Sequence, residues 1–171
     1  MLPRSEFKVS VTKDNIVFAS AHFITFPGHR CETLHGHNYR TRVSVQGGLD
    51  PETAYVIDFA ELKQLMKRLV DEIDHRVLLP LQNAKLQVKE VGDSVTVAYE
   101  GAPRYVFPKR DCALLPIPNT TVEMLAQYLA GRARLELERA GGGGNAVELT
   151  WIEVEVEENF GQSATYRESL R

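Results

Sequence analysis

Apolar and polar positions alternate along the first stretch of the chain. Phe7, Val9 and Val11 share one parity, and after Lys13-Asp14-Asn15 the phase shifts so that Ile16, Phe18, Ser20 and His22 share another. A period of two interrupted by a polar triplet predicts a β-hairpin over 7–23. Residues 24–34 carry Pro27, Gly28 and the polar run Cys31-Glu32-Thr33, which predicts a loop. A strand from about His35 to Gln46 then puts His35, His37, Tyr39, Thr41, Val43 and Val45 on one face.

The period next changes to three and four. Asp58 with Glu61 forms a capping-box pattern ahead of Phe59, Leu62, Leu65, Met66, Leu69 and Ile73, predicting an amphipathic helix that ends near Asp74-His75. Thr120 with Glu123 is a second capping-box pattern, followed by Val122, Leu125, Tyr128 and Leu129, so a second helix is expected over 121–139. The run Gly141 to Gly144 ends it as a loop. Alternation resumes over Val147–Glu158, with Ile152, Val154, Val156 and Glu158 on one face and Glu153, Glu155 and Glu157 on the other. A short strand near Ala164–Arg167 pairs with it. Between the helices, Val88, Val95, Val97, Tyr105 and Phe107 fall in short apolar runs broken by Gly92-Asp93 and Gly101-Ala102-Pro103, predicting an extra β-hairpin in 85–112. The order ββ, α, (ββ), α, ββ implies an α+β fold in one domain, 1–171, with an antiparallel sheet backed by two helices.

Composition narrows the classes of function. With 43% hydrophobic and 25% charged residues the chain is expected to be a folded soluble unit. A net charge of −3 without a basic cluster excludes a nucleic-acid surface. No apolar run approaches the roughly 20 residues that cross a bilayer, and the first residues lack the apolar core of a signal peptide, so a cytoplasmic protein is expected. Cys31 and Cys112 are too few for a disulfide framework and are expected as free thiols.

The candidate chemistry gathers on a few residues. His35-Gly36-His37 offers two imidazoles from alternate positions of one strand face, and His22 ends a strand that reads as its neighbour. Three imidazoles leaving a position open is the usual ligand set of catalytic zinc, although an H-x-H pair alone also fits surface or core histidines. Cys31, four residues before His35, is either a thiolate base or ligand near a cation or a buried loop cysteine. Asp74-His75 reads as an oriented proton-transfer pair or as a histidine favoured by a helix C-terminus. Glu158 lies on an apolar strand face, where a carboxylate needs a partner such as the N–H edge of a pterin or guanine, unless the strand ends at Val156.

In order, the segments Phe18-Ala-Ser-Ala-His22, Cys31-x-x-x-His35-Gly-His-Asn-Tyr39, Val56-Ile-Asp-Phe59, Asp74-His75, Thr120-Thr-Val-Glu123 and Glu158 with Tyr166 resemble the 6-pyruvoyl-tetrahydropterin synthase superfamily. The resemblance covers the chain except about 85–112. It implies the tunnelling fold, a four-stranded antiparallel sheet with two helices on one face, assembled into a homo-oligomer, commonly a hexamer of two trimers with sites between subunits. By similarity His22, His35 and His37 hold Zn2+, Cys31 with Asp74 and His75 transfers protons, and Glu158 anchors the pterin ring with help from Thr120 and Thr121. The four-residue step from Cys31 to His35 resembles 6-carboxytetrahydropterin synthases of the queuosine pathway, and animal-type pyruvoyl enzymes carry a longer loop there. That implies a zinc-dependent lyase acting on a small pterin triphosphate, with a pyruvoyl synthase or a non-catalytic pterin- or purine-binding protein as alternatives. The chain departs from the family pattern at Asn159, where Thr usually follows the glutamate, and in the 85–112 segment. Arg30, Arg40 and Arg42 are the nearby candidates for meeting the triphosphate.

Overall fold

The computed structural model describes residues 6–12, 14, 16–28, 30–139 and 148–170. Lys13 and Asn15 of the expected turn, His29, the Gly141–Gly144 loop and Val147 lie outside the described residues. In chain order the strands and helices are β1 (Phe7–Val11), β2 (Val17–His22), β3 (Thr25–Phe26), β4 (Arg30–Cys31), β5 (His35–Gly47), α1 (Phe59–Asp71), β6 (Arg76–Pro80), β7 (Leu86–Val91), β8 (Ser94–Tyr99), β9 (Ala102–Pro108), β10 (Cys112–Leu115), α2 (Val122–Arg139), β11 (Leu149–Asn159) and β12 (Gln162–Ser169).

The long strand β5 organises the sheet. Its C-terminal half pairs antiparallel with β1, Val11 opposite Val43, and its N-terminal half pairs antiparallel with β2, His22 opposite His35 and Ser20 opposite His37. The expected hairpin is therefore corrected: β1 and β2 do not pair with each other but each occupies one end of β5. Thirteen residues of β5 accommodate two short partners end to end, which parity alone does not reveal. On its other side β5 pairs with β11, and β11 with β12, both antiparallel.

The four-stranded antiparallel expectation thus describes only part of the sheet. Two short apolar strands extend it in parallel, β6 beside β2 and β10 beside β6, giving a mixed seven-stranded sheet. The expected hairpin in 85–112 is likewise a three-stranded antiparallel sheet, β7-β8-β9, and Cys112 belongs to the main sheet. The break at Gly101 is a tight turn, with Glu100 at φ 50° and Gly101 at φ 85°, which reverses the chain within the apolar run.

Both helices cover one sheet face. Asp58 caps α1 by accepting from the Ala60 amide, and Leu62, Leu65, Met66, Leu69 and Val70 pack inward while Phe59 stays exposed. The α2 cap falls one residue later than the sequence pattern suggests: the Thr121 hydroxyl faces the Met124 amide at 3.5 Å, and Thr120 is buried ahead of the helix. Leu125, Ala126, Leu129 and Ala133 of α2 join Tyr39, Val43, Ile152, Val154 and Val156 in the main core. The opposite face is polar, with Arg42 bonded to Glu155 at 2.8 Å across the β5–β11 pair.

Candidate active site

Strand register builds the site. Because Phe18, Ser20 and His22 face the same side as Tyr39, His37 and His35, the cross-strand pairs place three imidazoles at one end of the core. Their ligand atoms all lie within 4.8 Å of one another. Below them Phe18 and Tyr39 stack with ring centroids 4.7 Å apart, forming an apolar floor.

Two of the rings are fixed by backbone carbonyls. His22 Nδ1 lies 2.8 Å from the Thr120 carbonyl, and His35 Nδ1 lies 2.9 Å from the Thr33 carbonyl. A carbonyl only accepts, so each Nδ1 carries the hydrogen and each Nε2 presents a lone pair, the arrangement that orients metal-binding histidines. Burial lowers the His22 pKa, the Thr120 carbonyl and Glu158 oppose this, and His35 and His37 add to it. The net result is a neutral ring, the form that binds metal.

Glu158 sharpens the electrostatics. The last strand residues bulge between Glu157 and Asn159, and Glu158 stays on the apolar side with its Oε1 3.2 Å from His22 Nε2 and 3.5 Å from His37 Nε2. Among the described residues His22 Nε2 is buried with no hydrogen-bond partner. A lone pair facing a carboxylate oxygen is stable only with a proton or cation between them. The donor set and this unpaired nitrogen fit a divalent metal with borderline-soft preferences. Tyr39 donates to Glu158 Oε1 at 3.5 Å, and burial followed by the nearby carboxylate raises the phenol pKa, so it remains a donor.

The other sequence candidates surround this cluster. Asp74 accepts from the Ala19 amide through Oδ1 at 2.8 Å and holds His75 Nδ1 through Oδ2 at 2.9 Å. Burial would raise the Asp74 pKa, but the Ala19 amide and His75 outweigh it and the net shift is downward. His75 adopts φ 55°, unusual for a residue with a Cβ, and its own amide bonds to the Ala19 carbonyl at 2.6 Å. The pair is thus tied to β2, the strand that bears His22. Its ring is exposed and lines a cleft of about 510 Å³ with Gly36, His37 and Asn38. A second cleft, about 430 Å³, shares those three residues and is bounded by Arg40, Glu158, Asn159 and Phe160, with Arg40 over the Phe160 ring at 4.4 Å. The segment Gly36-His37-Asn38 therefore borders both the Asp74-His75 cleft and the Glu158 cleft.

Cys31 sits on β4, opposite Thr25, with Sγ 3.7 Å from the Glu32 carbonyl. Burial raises its thiol pKa, Arg104 opposes this, and Glu32 adds to it. The depression expected near a cation is therefore not supplied by the protein's own groups. Thr120 lends its carbonyl to His22, and its hydroxyl donates to the Phe23 carbonyl at 2.9 Å, leaving the side chain inside the fold. Thr121 caps α2. Arg42 is held by Glu155 on the opposite sheet face, away from the histidines.

Glu32 was not singled out in the sequence and belongs beside this site. Its Oε2 lies 3.8 Å from His35 Nδ1 and accepts from the Ile24 amide at 3.2 Å. The signal available was a second acid–base residue next to Cys31 on the same approach to His35.

Comparison with known proteins identifies the family. Residues 10–169 match the family model described as 6-pyruvoyl tetrahydropterin synthase. A Methanocaldococcus jannaschii protein named putative 6-carboxy-5,6,7,8-tetrahydropterin synthase is 35% identical over 153 residues, 90% of each chain. An Aquifex aeolicus 6-carboxy-5,6,7,8-tetrahydropterin synthase is 29% identical over 143 residues, covering 83% of this chain and 78% of that one. The crystal structure of Plasmodium vivax 6-pyruvoyl tetrahydropterin synthase superposes with TM-score 0.87 at 32% identity, over 96% of this chain and 99% of that one. A further structure of the Plasmodium vivax protein is described as a catalytic-residue mutant in which a glutamate is replaced by alanine. With a family model spanning nearly its whole length, the chain belongs to the 6-pyruvoyl tetrahydropterin synthase family.

Proposed function

We propose that the chain is a zinc-dependent lyase that converts 7,8-dihydroneopterin triphosphate and water to 6-carboxy-5,6,7,8-tetrahydropterin, acetaldehyde and triphosphate. The observation that carries this reading is the convergence of His22, His35 and His37, two of them fixed by backbone carbonyls, with a carboxylate facing the cluster. The carboxy product is favoured by the names of the Methanocaldococcus and Aquifex relatives. Bound at the three histidines, zinc supplies Lewis-acid polarisation of side-chain hydroxyls at neutral pH.

The remaining roles fall to residues of the chain. Glu158 anchors the guanidine-like edge of the pterin, its position set by the bulge and by Tyr39. The His75 ring exchanges protons with the substrate side chain while Asp74 holds its Nδ1, leaving Nε2 to face the cleft. Cys31 is the opposing proton-transfer group, and Thr121 shapes the cleft margin beside α2, while Thr120 acts through its carbonyl on His22. We take 1–171 to be a single tunnelling-fold domain working in the cytoplasm as a homo-oligomer, a dimer of trimers, with each site completed at a subunit boundary.

A second reading is favoured by Glu32 beside His35 and by the glutamate described as catalytic in the Plasmodium vivax enzyme. In it Glu32 replaces Cys31 as base and the side chain is processed as in the pyruvoyl-named enzymes. Mass spectrometry of the products from metal-loaded protein and dihydroneopterin triphosphate separates the two. Acetaldehyde with 6-carboxytetrahydropterin supports the first reading. Triphosphate release without acetaldehyde refutes it. Comparing Cys31→Ala with Glu32→Gln then identifies the base.

A further inference from the structure

The sheet β7-β8-β9 contributes no group to the histidine cluster, yet it is packed against the chain segments that lead into it. Val95 and Val97 form a second buried core with Phe23 and Leu79, and Leu34 and Tyr105 pack against that core. Phe23 directly follows His22, and Leu34 directly precedes His35. The inserted sheet therefore braces the backbone beside two of the three imidazoles.

Its polar contacts are more specific. Arg104 Nη2 donates to the Cys31 carbonyl at 3.2 Å and to the Glu32 carbonyl at 2.8 Å. The neighbouring Tyr105 hydroxyl accepts from the Leu34 amide at 3.2 Å, and its ring lies 5.3 Å from that of Phe23. Residues 32–34 belong to no strand, so their backbone groups need partners from elsewhere. Two consecutive residues of β9 supply two of those partners, to the Glu32 carbonyl and the Leu34 amide, and a third bond to the Cys31 carbonyl at the end of β4, and the Arg104 guanidinium, 5.2 Å over the Tyr105 ring, ties the two side chains to one another.

We propose that β9 is a clamp on the approach loop, with Arg104 and Tyr105 as positioning residues that hold the Cys31–Leu34 backbone so that its proton-transfer groups meet the substrate side chain at the histidine cluster. This rests on the reading of Cys31 or Glu32 as such a group. The clamp sets where the thiol and carboxylate stand; its bonds go to the loop backbone rather than to an imidazole or to Glu158, although the Thr33 carbonyl of the same loop also holds His35 Nδ1. Loosening it lowers the rate of the chemical step and leaves substrate binding in place, since a displacement of about 1 Å at a reacting group costs up to roughly 100-fold.

The test uses full-length, metal-loaded protein carrying Arg104→Ala, Arg104→Lys or Tyr105→Phe. Arg104 is exposed, and phenylalanine at 105 keeps the ring contacts, so these changes leave both cores filled. Amide hydrogen exchange at 31–34 is expected to quicken roughly five- to tenfold in Arg104→Ala and Tyr105→Phe. At saturating zinc the same variants lose roughly 10- to 100-fold in kcat while KM stays within about twofold. Arg104→Lys recovers part of both losses, because an ammonium still donates to the two carbonyls. Unchanged exchange at 31–34, or faster exchange with unchanged kcat, overturns the clamp. Cys31→Ala combined with Glu32→Gln tells its failure from that of the underlying reading. If the double variant is inactive but Arg104→Ala is fully active, the proton-transfer reading stands and the clamp is refuted. If the double variant keeps full turnover, the proton-transfer reading fails and takes the proposal with it.

Discussion

Replacing His22 by leucine gives a prediction whose sign differs between the metal-free and metal-loaded protein. His22 is 2% exposed, with Nδ1 donating to the Thr120 carbonyl and Nε2 buried without a hydrogen-bond partner among the described residues. Leucine removes the Thr120 bond and leaves a carbonyl unpaired, which costs about 1–3 kcal/mol. It also removes the unpaired Nε2 and its opposition to Glu158, which relieves a penalty of about the same size. These terms offset one another, so the metal-free variant unfolds within about 1–2 kcal/mol of the parent. The loaded state behaves differently. A metal at 100 times its dissociation constant stabilises a native site by about 2.7 kcal/mol, or roughly 5–10 °C in a chain of this length. With one of three ligands gone, that increment vanishes. Thermal unfolding with and without added zinc reads both quantities on one sample. A variant that keeps the full zinc-dependent rise, or one already unfolded without zinc, refutes the placement of His22 as a ligand of a preformed site.

Other outcomes follow from single contacts. Asp74 has its pKa lowered by the Ala19 amide and by His75 against the opposing effect of burial, so its contribution to stability is present above the ordinary aspartate range and is lost as pH falls through the folded-state value. Asp74→Asn is therefore less stable than the parent at neutral pH, the gap closes as pH falls below the ordinary aspartate range, and urea titrations at several pH values measure it. Tyr39→Phe retains the stack on Phe18 and removes the donor to Glu158, costing about 0.5–1.5 kcal/mol and raising KM for the pterin more than it lowers kcat, as steady-state kinetics will show. Leu125→Ala, at a fully buried α2 position, costs about 2–5 kcal/mol in denaturant unfolding without changing which products form.

Much of the site was legible because side-chain parity is a local property. The alternation Phe18, Ser20, His22 and His35, His37, Tyr39 assigns each side chain to a face, and the strands kept those faces. The partner of each strand was not legible, because a period of two says which face is buried but not what lies alongside. That is why β1 reads as a hairpin with β2 although both lie along β5. β6 and β10 are five- and four-residue largely apolar runs, too short for any period, and the parallel extension of the sheet was invisible for that reason. The Asp74-His75 pair was visible as residue types, whereas its attachment to Ala19 depends on a left-handed turn that no pattern specifies. Glu158 was found by its parity, and its approach to His22 and His37 required the bulge at the end of β11. The inserted strands carried apolar signals, but that Arg104 and Tyr105 reach the Cys31–Leu34 backbone is a long-range packing outcome.

The most direct test of the account is the stoichiometry of products from zinc-loaded protein supplied with dihydroneopterin triphosphate, run beside a chelated sample and His35→Ala. The account predicts one acetaldehyde and one triphosphate per 6-carboxytetrahydropterin in the loaded enzyme and none in the other two. Full acetaldehyde release from the chelated protein, or triphosphate release from the loaded enzyme with no acetaldehyde, contradicts it.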